Sequence, residues 1–302
     1  MIKTTLLAAS VMVSSLAYAQ TITIEHSMGS TTLEQGPKRV VVLGVGPLDA
    51  LDSFGIEPVA VTKFPSTPAY LTKYASDTYP SAGSLFEPDY ENIFEQQPDL
   101  IISGPRNAKN YEELSKIAPT IIYAVDQDKD YWQSTQEQWQ NLGKIFAIEP
   151  KVNQTIEKMD AQFKAIKQHN QAHPQKALMV MANGGKISAF GAASRFASLY
   201  QDFGFSEAVQ GIKTGRHGDL VSYEFIHDKN PQVLFVLDRD ALVNKGKSTT
   251  RSDFDNDLVK STDAYQSGKV SFLDINAWYV SIAGVQSTQQ MIDDVKQVIE
   301  TQ

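Results

Sequence analysis

The chain has 302 residues, no cysteine, and 35 acidic against 27 basic side chains, a net charge of −8. That length exceeds what one hydrophobic core commonly organises, so two domains are expected. The acidic balance and the lack of any basic run exclude a nucleic-acid footprint, a disulfide framework is impossible, and an anionic ligand must find its positive charge in a local cluster.

The chain opens on Lys3, the apolar runs Leu6-Leu7-Ala8-Ala9 and Val11-Met12-Val13, and then Ala17-Tyr18-Ala19. A positive start, a short apolar stretch and an A-x-A site read as an export signal over residues 1–19, removed after Ala19. The stretch is too short to serve as a spanning helix. With no cysteine to carry a lipid, a freely diffusing periplasmic protein beginning at Gln20 is expected.

Residues 20–148 read as a first α/β lobe. Arg39-Val40-Val41-Val42-Leu43 is the continuous apolar strand of a buried parallel sheet. Gly44-Val45-Gly46 breaks it, a helix follows from Pro47, and Gly55 stops that helix. Pro58–Thr62 and Asp99–Ser103 are further strands, and this alternation predicts an α/β fold. The truncated glycine turn has Asp49 where a dinucleotide fingerprint carries its third glycine, so nucleotide binding is not expected. Tyr131, Trp132 and Trp139 mark an aromatic-bearing helix whose simplest role is core packing.

Residues 149–173 carry the longest helical pattern. Val152, Ile156, Met159, Phe163 and Ile166 alternate four- and three-residue spacings and share one face, with Pro150 in the first turn and Pro174 beyond the end. His169 and His173 could pair on that helix, but two imidazoles without further donors are no zinc site. Residues 174–302 read as a second α/β lobe opening on the strand Ala177–Met181. The whole predicts two Rossmann-like lobes joined by one long backbone helix, with a ligand cleft between them. Such a helix restrains lobe motion, because bending it breaks backbone hydrogen bonds.

The halves echo each other. Tyr90-Glu91-Asn92-Ile93 precedes Pro98 and a strand, and Tyr223-Glu224-Phe225-Ile226 precedes Pro231 and a strand with the same Glu-to-Pro spacing. Paired, similarly built lobes account for this.

Three arginines follow predicted strands. Arg106 follows Ser103-Gly104-Pro105, Arg195 lies beyond Ser188-Ala189-Phe190, and Arg239 ends Val233–Asp238. A lone arginine often pairs with a neighbouring carboxylate, and Asp238 and Asp240 flank Arg239. Three together suit a flat, oxygen-rich anion, since guanidinium groups stay charged, fork towards oxygens and stack on rings. His217 sits in the glycine-flanked loop Gly215-Arg216-His217-Gly218, and Trp278-Tyr279 follows the strand Val270–Asp274. A loop histidine is commonly idle and a Trp-Tyr pair commonly core. Together, imidazole and phenolate are good donors for a ferric ion.

The stretch Gly215-x-His217-Gly218, Glu224-Phe225-Ile226, Lys229-Asn230-Pro231, Phe235–Arg239, Leu273-Asp274 and Trp278-Tyr279 resembles the periplasmic catecholate siderophore-binding proteins of the enterobactin-uptake type (the CeuE and VctP group). These are helix-backbone (class III) substrate-binding proteins, and the likeness runs over essentially the whole mature chain. The resemblance implies that His217 and Tyr279 are ligands to the iron of a ferric siderophore, and that Arg106, Arg195 and Arg239 line the pocket. A tetradentate bis-catecholate leaves two iron sites for the His–Tyr pair, whereas a hexadentate tris-catecholate leaves none. Asn276-Ala277 departs from the bulkier acidic–aromatic pair usual there. The resemblance also implies that Glu91 and Glu224 dock on arginines of an inner-membrane ABC permease. A monomer with no intrinsic cofactor and no catalysis is expected. The rival readings are the same fold binding haem, a corrinoid or a hydroxamate siderophore, and an extracytoplasmic hydrolase using His217 as a base.

Overall fold

The computed structural model describes residues 20–126, 128–212, 217–244 and 246–300. The export signal assigned to residues 1–19, and Gly215 and Arg216 of the histidine loop, lie outside the described residues. No helix among the described residues is long and apolar enough to cross a membrane.

The chain enters through an antiparallel hairpin, β1 (Thr21–His26) and β2 (Gly29–Glu34), in register from Thr21 opposite Glu34 to His26 opposite Gly29. No expectation covered it, because its half-exposed strands are rich in Thr and Ser. The first lobe's sheet is wholly parallel, ordered β4-β3-β5-β6, with β3 at Val40–Leu43, β4 at Ala60–Val61, β5 at Leu100–Ser103 and β6 at Thr120–Ile122. Every residue of these four strands is buried, as sheets covered on both faces require. Helix Val45–Phe54 follows β3 and stops at Gly55, which takes a left-handed φ of 76°.

Among the described residues the second lobe's sheet has six strands: β7 (Lys176–Asn183), β8 (Lys186–Phe190), β9 (Ser206–Glu207), β10 (Asp219–Val221), β11 (Val233–Asp238) and β12 (Val270–Phe272). The path β10-β8-β7-β11-β12 is mixed. β7, β11 and β12 are parallel, whereas β8 folds back antiparallel to β7 and β10 antiparallel to β8. Strand β11 lies over the same residues its apolar run predicts.

Helix Glu149–Ala172 joins the lobes, with Pro150 in its first turn and Val152, Ile156, Met159, Phe163 and Ile166 buried. One apolar core is shared: Val42 and Leu51 of the first lobe, Met159 and Phe163 of this helix, and Phe203, Phe235 and Trp278 of the second belong to a single cluster. The outer faces of the two sheets carry separate, smaller cores. Through the shared core runs a chain of ring contacts: Phe54–Trp139, Trp139–Trp132, Trp132–Phe163, Phe163–Phe203 and Phe203–Trp278, with centroids 4.8 to 6.2 Å apart. Each such pair contributes about 0.5–1.5 kcal/mol beyond area burial. Parting the lobes here would break that chain, so the seam resists wide opening.

The two echoed segments build matching units. Asp89 accepts the backbone N–H of Asn92 to start helix Tyr90–Glu95, and Ser222 accepts that of Phe225 to start helix Tyr223–Lys229. Ile93 and Ile226 are fully buried beneath them, and each unit leads through its proline into β5 or β11.

Candidate ligand-binding site

Tyr279 lies in a single π-helical turn, Asn276–Val280, entered from β12. Such turns are rare and concentrate at functional positions, because the extra residue re-aims a side chain. Its neighbour Trp278 is buried, and its indole N–H donates to Asp294 Oδ2 over 2.8 Å. The phenol itself is half-buried, with three guanidinium groups about its ring. The Cζ of Arg195 is 4.1 Å from the ring centroid, that of Arg106 5.8 Å and that of Arg239 5.9 Å.

The three arginines reach this ring by different routes. Arg106 opens the turn after β5, and its Nη2 donates to the Tyr279 carbonyl over 3.0 Å, so it fixes the backbone as well as facing the ring. Arg239 is the first residue past β11, and its Nη1 donates to Asn183 Oδ1 at the end of β7. Its flanking carboxylates have other work: Asp238 accepts from Ser248 and Thr250 hydroxyls, and Asp240 accepts the N–H of Gly184. Arg195 does follow a strand, but that strand is the antiparallel β8, whose exit lies towards the end where β7 and β11 begin. Phe196, buried edge-on against Phe190, holds the segment that returns the Arg195 side chain to the phenol. Sequence patterning places Arg195 at a strand end; it does not reveal that this strand runs backwards.

Electrostatics at Tyr279 are a contest. Burial, the largest single influence, raises the phenol's pKa, but the Arg195 charge, the Arg239 hydrogen bond and charge, and the Arg106 charge together outweigh it. The phenol ends below the ordinary tyrosine value, so the site favours negative charge on this oxygen.

His217 is solvent-exposed and immediately precedes Gly218 and β10. Gly218 has φ +65°, and a Cβ there would lie 2.5 Å from the Ala189 carbonyl, so only glycine fits against β8. The register Asp219 opposite Ala189 sets His217 beside the exit of β8, the strand that leads to Arg195. Glu91 and Glu224 are both exposed in the first turns of their helices, one on each lobe. The Glu224 carboxyl is held below its ordinary pKa by the Ser222 hydroxyl and its own backbone N–H.

The partners that shape the site were not legible: Asn183 holding Arg239, Asp294 anchoring Trp278, and Asp49. The last is an aspartate inside helix Val45–Phe54, fully buried, accepting the backbone N–H groups of Gln286 and Ser287. A single Asp within Leu48-Asp49-Ala50-Leu51 is on its face a surface residue. Its only signal is the apolar neighbour on each side.

Comparison with known proteins agrees with this architecture. The crystal structure of the periplasmic catecholate-siderophore binding protein VctP from Vibrio cholerae is 60% identical, with a TM-score of 0.90, covering 92% of this chain and 100% of that one. The petrobactin-binding protein YclQ of Bacillus subtilis is 40% identical over 92% of this chain and 88% of its own length. The ferric-anguibactin-binding protein FatB of Vibrio anguillarum is 32% identical over 91% of this chain and 86% of its own. The model of the periplasmic binding protein family matches residues 40–277, and the chain belongs to that family.

Proposed function

We propose that this chain is the solute-binding component of an iron ABC importer, capturing a ferric catecholate siderophore in the periplasm and delivering it to the inner-membrane permease. The observation that carries the reading is the gathering of three guanidinium groups around one phenol in a protein of net charge −8. Catecholates on iron are flat, anionic and oxygen-rich, which is what planar cationic forks recognise. The 60% identity to a catecholate-siderophore binding protein supports the same cargo class.

Iron is cargo and arrives inside its chelator. Arg106, Arg195 and Arg239 neutralise the complex. Where the chelator is tetradentate, Tyr279 supplies a phenolate and His217 an imidazole to the two open iron positions. With a hexadentate chelator the arginines carry the binding. The ferric charge reinforces what the arginines begin, deprotonation of the phenol.

Capture is reversible and breaks no bond of the cargo, so no turnover is expected. Glu91 and Glu224, one on each lobe, are the contacts offered to arginines of the permease. The chain acts as a monomer and, lacking cysteine, diffuses without a lipid anchor.

Titration of the purified protein with a ferric bis-catecholate, followed by intrinsic Trp and Tyr fluorescence, tests the reading. Saturable one-to-one quenching is expected. Saturation by haem, a corrinoid or a ferric hydroxamate, with none by catecholates, overturns the cargo, and turnover of an ester or glycoside that depends on His217 overturns the binding role itself.

A further inference from the structure

Tyr279 belongs to the second lobe by chain order, yet the residues following it are tied to the first. Asp49 Oδ1 accepts the N–H of Gln286 over 2.9 Å and Oδ2 that of Ser287 over 2.9 Å, capping the C-terminal helix Val285–Glu300. Oδ2 also accepts the hydroxyls of Ser281 and Tyr70 over 3.1 Å each, and Oδ1 that of Ser53 over 3.3 Å. Five donors on one carboxylate that is fully buried make this a dedicated acceptor. The fit leaves no slack: a Cβ on Gly284 would lie 2.1 Å from Asp49 Oδ2, and one on Gly46 would lie 2.1 Å from the Ile282 carbonyl.

The other ties run the same way. Ala283, at a left-handed φ of 62°, has its carbonyl held by Tyr123 Oη at 2.6 Å and Trp139 Nε1 at 2.7 Å, and its N–H donates to Tyr131 Oη over 3.2 Å. Arg106 grips the carbonyl of Tyr279 itself. Asp49, Tyr70, Arg106, Tyr123, Tyr131 and Trp139 all precede the backbone helix. Arg195, Arg239 and His217 all follow it, on segments joined to the second sheet.

We infer that Asp49 is the positioning residue for Tyr279: it fastens the 279–287 segment to the first lobe, so that lobe presents the phenol together with Arg106, while Arg195, Arg239 and His217 are carried by the other. Small changes in lobe placement then alter the phenol's distance to Arg195, Arg239 and His217 directly, and bound cargo bridges the seam. This inference rests on the reading that Tyr279 meets the cargo.

Asp49→Asn is the informative variant. Each carboxylate oxygen serves one backbone N–H, so an amide must turn its NH2 against Gln286 or Ser287. Two readouts are taken on the full chain. In hydrogen exchange, peptides over residues 279–287 should lose protection while those over 149–172 keep it. With the ferric complex of a synthetic tetradentate bis-catecholate, the tyrosinate-to-iron absorption band should weaken and shift, and affinity should fall about tenfold or more, the usual scale for lost outer-shell support. Binding of a hexadentate tris-catecholate should stay within about twofold.

Val180→Ala, a core truncation on the outer face of the second sheet, is the control; it should lower stability and leave the band unchanged. If Asp49→Asn does not fold, Tyr70→Phe removes one donor to the same oxygen and should produce the same changes in smaller degree. Wild-type exchange and an unaltered band in the variant that folds overturn the inference. Absence of any tyrosinate band in the wild-type protein instead defeats the ligand reading of Tyr279, and the exchange data alone then decide whether Asp49 fastens the segment.

Discussion

The two side chains proposed as donors to iron sit in opposite kinds of surroundings. Tyr279 is half-buried in a π-helical turn, its carbonyl held by Arg106, its neighbour Trp278 anchored by Asp294, and its pKa lowered by three arginines against the effect of burial. His217 is exposed, beside Gly218, which packs on β8. The phenol is therefore held in place by its neighbours, whereas the imidazole is open to solvent. Pre-organised groups contribute more to affinity, because less ordering remains to be done on binding.

The difference can be broken at its strongest point first. Tyr279→Phe should weaken a tetradentate ferric complex by about 100-fold, roughly 2.7 kcal/mol, and abolish the tyrosinate absorption band, with a hexadentate complex far less affected. An unchanged spectrum would remove Tyr279 from the iron's shell. Arg195→Ala should weaken every anionic catecholate, by about tenfold, and flatten the salt dependence of binding, since it removes a charge and not a shape. Loss for one ligand alone would point to shape. His217→Ala should cost a tetradentate complex only a few-fold, less than Tyr279→Phe, because an exposed loop donor must be ordered on binding. The reverse ranking would mean that the loop, not the π-helical turn, is the prepared side of the site.

What was legible follows from what periodicity encodes. Val233–Asp238 is a continuous apolar run and becomes a buried strand over those same residues, while the stripe from Val152 to Ile166 becomes the buried face of the joining helix. The strand-following positions of Arg106 and Arg239 were equally readable. Direction was not: an apolar run carries no mark of being parallel or antiparallel, so the reversal of β8 beneath Arg195 was hidden. Nor was Asp49, whose burial depends on a segment more than two hundred residues away, a long-range pairing that no local pattern announces. Polar residues that hold a site together gain their meaning only from the donors the fold brings to them.

A second buried carboxylate sharpens the contrast, because it crosses the same seam in the other direction with far less support. Asp202, in the second lobe, accepts the N–H of Trp132 at the start of helix Tyr131–Phe146, over a long 3.3 Å, and its Oδ2 meets no donor among the described residues. Burial, its main influence, pushes this carboxyl up to about 7, with the nearby Asp130 charge adding to the rise. In the unfolded chain an aspartate titrates near 4, approximately its ordinary value. Between about pH 4 and pH 7 the folded protein thus holds a proton that the unfolded chain has released, so stability falls as pH rises through that window and stays at the lower level above it. Asp202→Asn removes the titration and keeps an oxygen for the Trp132 N–H. Its unfolding free energy relative to the wild type should therefore improve by about 2 kcal/mol or more between pH 5 and pH 8, several degrees in Tm. Thermal unfolding at the two pH values measures this, and a gap that does not change with pH would show that the carboxylate ionises without cost, as a hydrated group at the seam would.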